Sequence, residues 1–302
     1  MIRSAADGDR DAIFALGVAE EAAWFGQAEI SAEEIGEWIE EESGVASGVV
    51  AVDDAGNVRG FAAPGRREAV FLAEPARASP LADELLPWLR ERCDVVRLMT
   101  FAGDTTRLAA FERHGLRHLR SSFSMARADS VGPVPVATFP NGVKVEPYRF
   151  GDDDQAVHRL IYVDAAWASV PGHAERDLEQ WLDTVRRCRS AFLARRNGRP
   201  VGWVAGRVLA SGRGSVDMLA VATRERHRGL GRALLLHAFA DLQRAGGRDL
   251  TLDAQAENAA ALGLYYCRIT AERWAGSKTS VEPALTALRT GLSRRSARRS
   301  SG

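Results

Sequence analysis

The chain repeats one pattern of strands, turns and helices, and this repeat limits its possible folds more than any other feature. Ile2–Ile13 contains a strand end, an Asp-rich cap and a helix start, and Val145–Asp154 has the same pattern. Ser47–Gly60 contains an apolar strand, a glycine turn and a second strand, and Ser190–Gly202 matches it. The turn glycines keep one separation along the chain, Gly56 matching Gly198 and Gly60 matching Gly202. The conserved separation predicts two copies of one fold.

The length of the chain agrees with two copies. At ~150 residues per domain, 302 residues predict two domains, each large enough to bury its own core. A composition of 46% hydrophobic and 26% charged residues excludes collagen-like, coiled-coil and wholly disordered proteins. Basic and acidic residues number 40 each, so no overall field attracts nucleic acid or an anionic membrane. Any anion site must be built locally.

The cysteines and the apolar segments indicate where the protein works. Cys93, Cys188 and Cys267 are odd in number and lie far apart, which argues against a disulfide framework or a structural metal site. The first ten residues contain no apolar core of a signal sequence, and no apolar run reaches the ~18 residues of a membrane span. We therefore expect a cytoplasmic protein that binds neither membrane nor metal.

The repeat also predicts domain limits. We expect a first domain over residues 1–128, a linker over 129–142 whose Pro and Gly content disfavours a helix, and a second domain over 143–285. The polar, arginine-rich segment 286–302 is expected to be disordered. In the second copy the pattern predicts helices at 153–168 and 174–187, strands at 190–195, 200–209 and 214–221, a helix at 230–245, a strand at 249–254 and a helix at 258–267.

One loop of the second copy is typical of a phosphate site. The apolar strand Val216–Val221 leads through Arg226–Gly231 into an apolar helix. Gly229 and Gly231 allow the backbone to approach a ligand closely, and the free N–H groups at a helix start attract anionic oxygens. Positive charge surrounds the loop, supplied by Arg224, Arg226, Arg228 and Arg232.

Two cofactor patterns compete for this loop. Gly229-x-Gly231-x-x-Leu234 partly matches the dinucleotide fingerprint, with Asp253 at a suitable distance, but Leu234 replaces the third glycine. Arg226-x-x-Gly229-x-Gly231 matches the rival pattern, [Arg/Gln]-x-x-Gly-x-[Gly/Ala], at every position. We favour the second pattern.

With that loop, the second copy resembles the GCN5-related N-acetyltransferases. A second motif of that family, Asn-x-x-Ala-x-x-Leu-Tyr, is matched by Asn258, Ala261, Leu264 and Tyr265, although Ile269 and Thr270 replace its usual Gly-Phe. The doubled layout is similar to tandem members of the family. The resemblance implies two α/β domains, each with a mixed, mostly antiparallel sheet flanked by helices, and acetyl-coenzyme A as cofactor. The cofactor-binding residues it implies are Leu219, Ala220, Val221, Arg226, His227, Arg228, Gly229, Leu230, Gly231, Arg232 and Asn258.

The resemblance also implies the catalytic groups. Tyr265 occupies the position that often protonates the coenzyme A sulfur, and a phenol with an ordinary pKa of about 10 keeps its proton at neutral pH. Tyr266 beside it serves as a control. Strand 216–221 is expected to diverge from strand 249–254, so that the amide of Leu219 or Val221 binds the thioester carbonyl.

A base must remove the proton of the acceptor amine. Strand alternation is expected to place Ser215, Asp217, Leu219 and Val221 on one face, where Asp217 is the titratable member. Asp217 is therefore the predicted base, directly or through water. A salt-bridged strand aspartate remains an alternative for Asp217, and Asp253 and Glu257 remain alternative bases.

Other aromatic and histidine side chains have simpler explanations. Trp167 and Trp181 fall on apolar helix stripes and are expected to lie in the core rather than to line a substrate wall. Loop charge and packing account for His227 and His237, while His173 is a candidate for the edge of the acceptor pocket.

The first copy has lost these features. Aligned through Leu85 and Leu234, it has Arg77, Pro80 and Ala82 where the second copy has Arg226, Gly229 and Gly231. Pro80 removes an N–H donor and adds bulk at the phosphate position. Phe111 replaces Tyr265, and Asp104 replaces Asn258. We therefore predict a degenerate first domain.

These observations predict an acyltransferase that moves an acetyl group from acetyl-CoA to a primary amine of a small molecule by direct transfer in a ternary complex. The chemistry is assigned to the C-terminal domain. The alternatives are a non-catalytic acyl-CoA-binding or sensing protein, and an acetyltransferase acting on a protein or peptide amine. Nucleic-acid binding is not expected, because the Arg294–Arg299 cluster supplies only weak, salt-sensitive affinity. Monomer and homodimer both remain open.

Overall fold

A computed structural model describes residues 1–26, 28, 30–66, 68–127, 132–165 and 176–255, together with the backbone of 273–283. The chain divides into two compact units. The first contains Met1–Leu119 and the chain from Lys278 onward, and the second contains Arg120–Ser277. In both units helices pack on mixed or antiparallel sheets, so the predicted α/β class is confirmed.

The first unit contains five complete strands and four α-helices among its described residues up to Leu119: β1 (Ile2–Ser4), α1 (Arg10–Phe25), α2 (Ala32–Glu42), β2 (Val49–Val52), β3 (Val58–Ala63), β4 (Val70–Ala73), α3 (Ala78–Arg90), β5 (Leu98–Phe101) and α4 (Thr105–Arg113). Four of the strands form an antiparallel sheet of order β1-β2-β3-β4. Ser31 begins α2 with a capping box, accepting from the Glu34 N–H while the Glu34 carboxylate accepts from the Ser31 N–H, a cap that contributes about 1 kcal/mol.

The core of the first unit has two layers, one on each face of this sheet. The α3 layer contains Leu85, Leu86 and Leu89, all fully buried. The opposite layer contains Ile13 of α1 and Ile39 of α2, also fully buried. Each such side chain stabilises the fold by about 1.5–3 kcal/mol. Apolar residues alternate along β2 to β4 and supply side chains to both layers.

The elements that follow are β6 (Leu116–Arg127), β7 (Val143–Pro147), α5 (Asp154–Arg159), which continues as a π-helical turn (Leu160–Asp164), α6 (Leu178–Val185), β8 (Ser190–Arg196), β9 (Arg199–Val208), β10 (Arg213–Val221), α7 (Leu230–Arg244) and β11 (Arg248–Gln255). In the second unit these strands form a sheet of order β6-β11-β10-β9-β8-β7. Neighbouring strands are antiparallel except β10 and β11, which are parallel. A last strand, β12, spans Arg273–Pro283. Its residues 278–281 belong to the first unit, where they pair antiparallel with β5.

Two apolar layers also cover the sheet of the second unit. Leu234, Leu235 and Phe239 of α7 pack on one face. Trp181 of α6 and Trp203 of β9 pack on the other, with the π-helical turn after α5. Trp181 is 1% exposed, which confirms its predicted place in the core. His237 contacts the rings of Phe139 and Phe192, so packing accounts for this histidine as expected.

The repeat extends to matching atomic contacts. A Cβ placed on Gly60 of β3 would lie 3.2 Å from the Cδ1 of Leu85 on α3. A Cβ placed on Gly202 of β9 would lie 2.7 Å from the Cδ1 of Leu234 on α7. In each unit, therefore, a strand glycine allows a helix to approach the sheet closely: Gly60 allows the approach of α3, and Gly202 that of α7. The leucines are the ones through which the two copies align by sequence.

The division between units differs from the sequence-based limits. The sequence placed residues up to 128 in the first domain, but the structure divides the chain after Leu119. The reason is strand pairing: β6 forms a continuous antiparallel ladder with β11, from Leu250 opposite Arg127 to Gln255 opposite Ser122. Residues 132–142 contain neither helix nor strand and lie within the second unit, where Val134, Ala137 and Phe139 pack against the α7 layer. No helix in the described ranges is long and apolar enough to cross a membrane.

Candidate functional site

The loop between β10 and α7 forms a concave row of backbone N–H groups. His227 and Gly229 have left-handed φ values of 60° and 83°, whereas Arg228 between them does not. Such alternation turns successive N–H groups toward one side and creates an anion-binding hollow. The first N–H bond into α7 runs from Ala233 to the Gly229 carbonyl at 3.0 Å. The N–H groups of residues 230–232 precede this bond and have no carbonyl within the helix to bind.

The charged side chains around this loop have different roles. Arg226 donates to the Ala165 carbonyl at 2.7 Å, so its guanidinium caps the helical segment that begins with α5. Thr223 supports the same helix end, donating to the Asp164 carbonyl at 3.0 Å. Arg226 therefore ties the loop to this helical segment. The sequence pattern placed Arg226 among the charges around the loop and among the implied cofactor-binding residues, because it shows residue type and not side-chain direction.

A buried carboxylate offsets part of the positive charge. Glu225 is 5% exposed and forms ion pairs with Arg196 at 3.3 Å and with Arg228 at 3.7 Å. Arg224 and Arg232 are exposed, and no carboxylate partner is recorded for either within the described residues. A positive surface therefore flanks the N–H hollow, although the formal charge of the chain is zero.

The predicted cofactor-binding residues contribute in different ways. Leu230 is 1% exposed in the α7 layer, so only its backbone can reach a ligand. Gly231 is half-buried in the first turn of α7. Ala220 is 1% exposed on the opposite face of the sheet and does not face the loop.

A gap opens between β10 and β11. Their parallel pairing ends at Val216 opposite Leu252 within the described residues of the two strands. β10 continues to Val221 against β9, while β11 continues to Gln255 against β6. The two strands therefore separate beyond this pair, as the family resemblance implied.

Backbone N–H groups of β10 point into this gap. Ala222 donates its N–H to the Val201 carbonyl at 3.0 Å. Hydrogen bonding alternates along an antiparallel pair, so Ala220 also uses its N–H toward β9. Leu219 and Val221 consequently direct their N–H groups away from β9 and toward β11.

A β-bulge at Asp217 changes the faces of β10. Val216 pairs with Gly206 and Met218 with Ala205, so Asp217 is an extra residue without a partner on β9. The expected alternation through Ser215, Asp217, Leu219 and Val221 is therefore wrong. Val216, Leu219 and Val221 pack on the α7 layer, whereas Met218 and Ala220 pack on the opposite layer.

Gly206 accommodates this bulge. A Cβ on Gly206 would lie 2.3 Å from the Ser215 carbonyl oxygen, a distance that no side chain tolerates without movement of the backbone. The sequence offers a signal only in hindsight, because a strand glycine often marks a bulge or a close approach.

Asp217 lies in a polar cluster beside the gap. Its side chain is 20% exposed. Ser215 Oγ donates to Oδ1 at 2.6 Å, Cys188 Sγ donates to Oδ2 at 3.7 Å, and Arg207 Nε forms an ion pair with Oδ2 at 3.1 Å. Removal from water raises the pKa of Asp217 above its ordinary value, and Asp253 acts in the same direction. Asp217 is therefore salt-bridged, as the alternative interpretation expected, and its side chain also remains accessible to solvent.

Several predicted residues lie outside the described part of the chain. Tyr265 and Asn258 are among them, and their positions relative to Asp217 stay predictions. The other residues singled out in the sequence that lie outside the described ranges are Trp167, His173, Glu257, Ala261, Leu264, Tyr266, Cys267, Ile269 and Thr270. Among the described residues, no group of three or more His, Cys, Asp or Glu side chains could hold a metal ion.

The equivalent loop of the first unit is helical. α3 begins at Ala78, directly after a 3₁₀ turn at Pro75–Arg77, and Pro80 lies in its first turn. The segment that aligns with the hollow of the second unit is thus taken up by an additional helical turn. Proline fits there because its missing N–H is not needed in a first turn.

In the first unit, the outward-facing edge of β4 is bound by a carboxylate from α1. Glu74 donates its N–H to the Arg59 carbonyl, so alternation turns the N–H of Ala73 away from β3. Ala73 therefore corresponds to Val221 of the second unit. Its N–H donates to Glu20 Oε1 at 2.7 Å, so a carboxylate of α1 binds the amide that points outward.

This carboxylate belongs to a buried ionic triad. Arg107 is fully buried and forms ion pairs with Glu20 at 2.7 Å and with Asp104 at 2.9 Å. Burial raises the pKa of Glu20, and Arg107 acts to lower it. Asp104 also begins α4 by accepting the Arg107 N–H. Phe111, the counterpart of Tyr265, is fully buried against Phe71.

Comparison with known proteins agrees with this architecture. Residues 157–267 match the acetyltransferase (GNAT) family. A mycothiol acetyltransferase of Tsukamurella paurometabola is 32% identical over 224 residues, which cover 67% of this chain and 73% of that protein. The chain belongs to the GNAT acetyltransferase family. The family assignment covers the loop, the gap and the cluster around Asp217.

Two further comparisons define the extent of the similarity. A mycothiol acetyltransferase of Thermomonospora curvata is 30% identical over 189 residues, 60% of this chain, and the match spans 62% of that protein. The crystal structure of a GCN5-related N-acetyltransferase from Sphaerobacter thermophilus has the same fold, with a TM-score of 0.78 and 24% identity. That similarity covers 93% of this chain and 94% of the other, so it includes both units of this chain.

Proposed function

We propose that the chain is an acetyl-CoA-dependent N-acetyltransferase that acetylates a primary amine of a small molecule, with its chemistry in the second unit. The observation that carries the proposal is the N–H hollow at residues 227–232 followed by the open gap between β10 and β11. The relatives named mycothiol acetyltransferase support a small-molecule acceptor.

The residues present fit acetyl-CoA. The backbone at Arg228, Gly229, Leu230, Gly231 and Arg232 would hold the diphosphate, with His227 shaping the loop and Arg226 fixing it to the preceding helix. The outward N–H groups of Leu219 and Val221 would bind carbonyl oxygens in the gap, and Asn258 would hold the cofactor from the following segment. When bound, acetyl-CoA supplies the acetyl group as a thioester.

The side chains divide the proton transfers between them. Asp217 accepts the proton of the acceptor ammonium at a carboxylate oxygen, directly or through water, and its raised pKa makes it a better proton acceptor. Tyr265 donates its phenolic proton to the departing sulfur as the C–S bond breaks. The second proton of the amine nitrogen, released as the C–N bond forms, returns to the Tyr265 oxygen directly or through water. The N–H of Leu219 or Val221 stabilises negative charge on the carbonyl oxygen, which is worth on the order of 3 kcal/mol for each such donor.

The first unit has a structural role in this proposal. Its loop is replaced by helix, and its outward amide at Ala73 is bound by Glu20. We propose one cofactor for each chain, with a cytoplasmic location and without a nucleic-acid, membrane or metal requirement.

Tyr265→Phe tests the proposal, with Tyr266→Phe as the matched control. Coenzyme A release is followed with a thiol reagent over a panel of small amines. The proposal predicts a loss of about 10²-fold or more for Tyr265→Phe and little change for Tyr266→Phe. The opposite ranking contradicts the assignment of Tyr265.

Calorimetry with acetyl-CoA completes this test. Binding of the cofactor without thiol release on any amine would identify a sensing protein instead of an enzyme. Release with a protein or peptide amine alone would overturn the small-molecule acceptor.

A further inference from the structure

Both oxygens of the Asp217 carboxylate are held by neighbouring side chains. Ser215 donates to Oδ1 at 2.6 Å, and Arg207 forms its ion pair with Oδ2 at 3.1 Å. Cys188 also reaches Oδ2, at 3.7 Å. Burial and Asp217 raise the pKa of the Cys188 thiol to about 12, so this thiol remains a donor at neutral pH.

The bulge brings Arg207 to this carboxylate. Arg207 of β9 lies directly opposite Ser215 of β10 in the sheet register. Without the extra residue, Asp217 would stand opposite Ala205, two positions along β9 from Arg207. Because of the bulge, Asp217 lies between the pair formed by Val216 with Gly206 and the pair formed by Met218. Gly206 leaves room for the displaced backbone. The local fold thus places one cation and one hydroxyl on one carboxylate.

Charged and titratable groups face Asp217 from each element packed around it. Arg207 comes from β9, Cys188 from the segment after α6, and Asp253 from β11. Asp253 itself accepts from Ser124 of β6. Among the residues that the structure describes, Arg207 is thus the cation that opposes both the burial of Asp217 and the negative charge of Asp253.

We propose that Arg207 and Ser215 are positioning residues for acetyl transfer, which orient Asp217 and set its charge state against the opposing effect of Asp253. This inference rests on the proposed function, in which Asp217 takes the proton of the acceptor amine. Neither side chain contacts the acceptor in this role. Arg207 and Cys188 both engage Oδ2, whereas Ser215 engages one lone pair of Oδ1. The second lone pair of Oδ1 is left for the amine proton or for a bridging water.

The charges predict shifts of opposite sign. Because a neighbouring cation favours the ionised carboxylate, Arg207→Gln raises the pKa of Asp217 and moves the acid limb of the kcat/KM profile to higher pH. A limb that moves by about one pH unit lowers kcat/KM about tenfold at a pH below the limb and leaves kcat/KM unchanged at a pH above it. Asp253→Asn removes a like charge and moves the limb to lower pH. Ser215→Ala shifts the limb in the direction of Arg207→Gln.

The first measurement uses the full chain without ligands. Carbon-13 NMR of labelled aspartate carboxyls follows the titration of Asp217, whose signal is assigned by its absence in Asp217→Asn. Arg207→Gln is expected to raise the titration midpoint of Asp217. Arg207→Lys keeps the positive charge and is expected to leave the midpoint close to that of the wild type. Arg199→Gln, an exposed change on the same strand, is the control and leaves the midpoint in place.

The second measurement is the pH profile of kcat/KM for the same variants. The inference requires that the acid limb moves with the NMR midpoint. A midpoint that stays in place in folded Arg207→Gln, or a limb that does not follow the midpoint, overturns it. If Arg207→Gln does not fold, Ser215→Ala and Arg207→Lys provide the comparison. Full activity of Asp217→Asn contradicts the assigned base itself, whatever the midpoints show.

Discussion

Replacement of Gly229 by alanine tests the N–H hollow directly. Gly229 has φ +83° at the start of α7, and a Cβ added there meets no atom within 4 Å. The substitution therefore creates no clash in the free protein, and its cost comes from the left-handed backbone, about 1–2 kcal/mol for an L-residue. Relaxation to negative φ turns the N–H groups of the loop away from a common point.

Gly198 provides a matched control for this change. It has φ +76° in the β8–β9 turn and equally open space for a Cβ. Both alanine variants should lose similar stability, because both incur the same backbone strain. Cofactor binding should separate them, since Gly229→Ala also weakens at least one N–H bond to a charged phosphate. Such a bond contributes about 1.5–3 kcal/mol, which corresponds to a 10- to 150-fold rise in Kd.

Isothermal titration calorimetry with coenzyme A measures this difference, and thermal unfolding measures the shared loss of stability. The expected result is a Kd raised by at least about tenfold for Gly229→Ala and unchanged for Gly198→Ala. Equal affinities for the two variants would refute the role of the loop backbone.

Three further changes have distinct outcomes. His227→Gly removes a left-handed non-glycine residue, so calorimetry should show coenzyme A affinity within about threefold of wild type, and a large loss would mean that the imidazole itself binds. Gly206→Ala forces a Cβ toward the Ser215 carbonyl and should lower the unfolding free energy by about 1–3 kcal/mol in denaturant titrations, with loss of activity. Arg107→Met leaves two buried carboxylates without a cation and should cost about 3–5 kcal/mol at pH 7. The cost should be smaller at pH 4, because burial raises the pKa of Glu20 and the protonated carboxyl carries no charge; an equal loss at both pH values argues against the triad.

The order of elements in the second unit followed from hydrophobic periodicity and from glycine turns. Strand 190–195 and helix 230–245 correspond to Ser190–Arg196 and Leu230–Arg244 in the structure. These segments are long and strongly patterned, and their own side chains determine them. The loop between β10 and α7 was equally visible, because its glycines have a local backbone purpose.

Features that depend on distant contacts were not predictable in the same way. The bulge at Asp217 adds one residue to a strand, and a single sequence does not distinguish this from regular alternation. The direction of the Arg226 side chain depends on where the helix ending at Ala165 lies. The ion pair between Arg207 and Asp217 likewise depends on the register of β9 against β10. Pairing of β6 with β11 moved the unit boundary for the same reason.

A crystal structure of the chain with acetyl-CoA tests the central claim most directly. The account predicts one cofactor per chain, with its diphosphate against the N–H groups of residues 228–232 and its pantetheine arm between β10 and β11. Density for the cofactor beside Pro80 in the first unit, or none at the 226–231 loop, would contradict it.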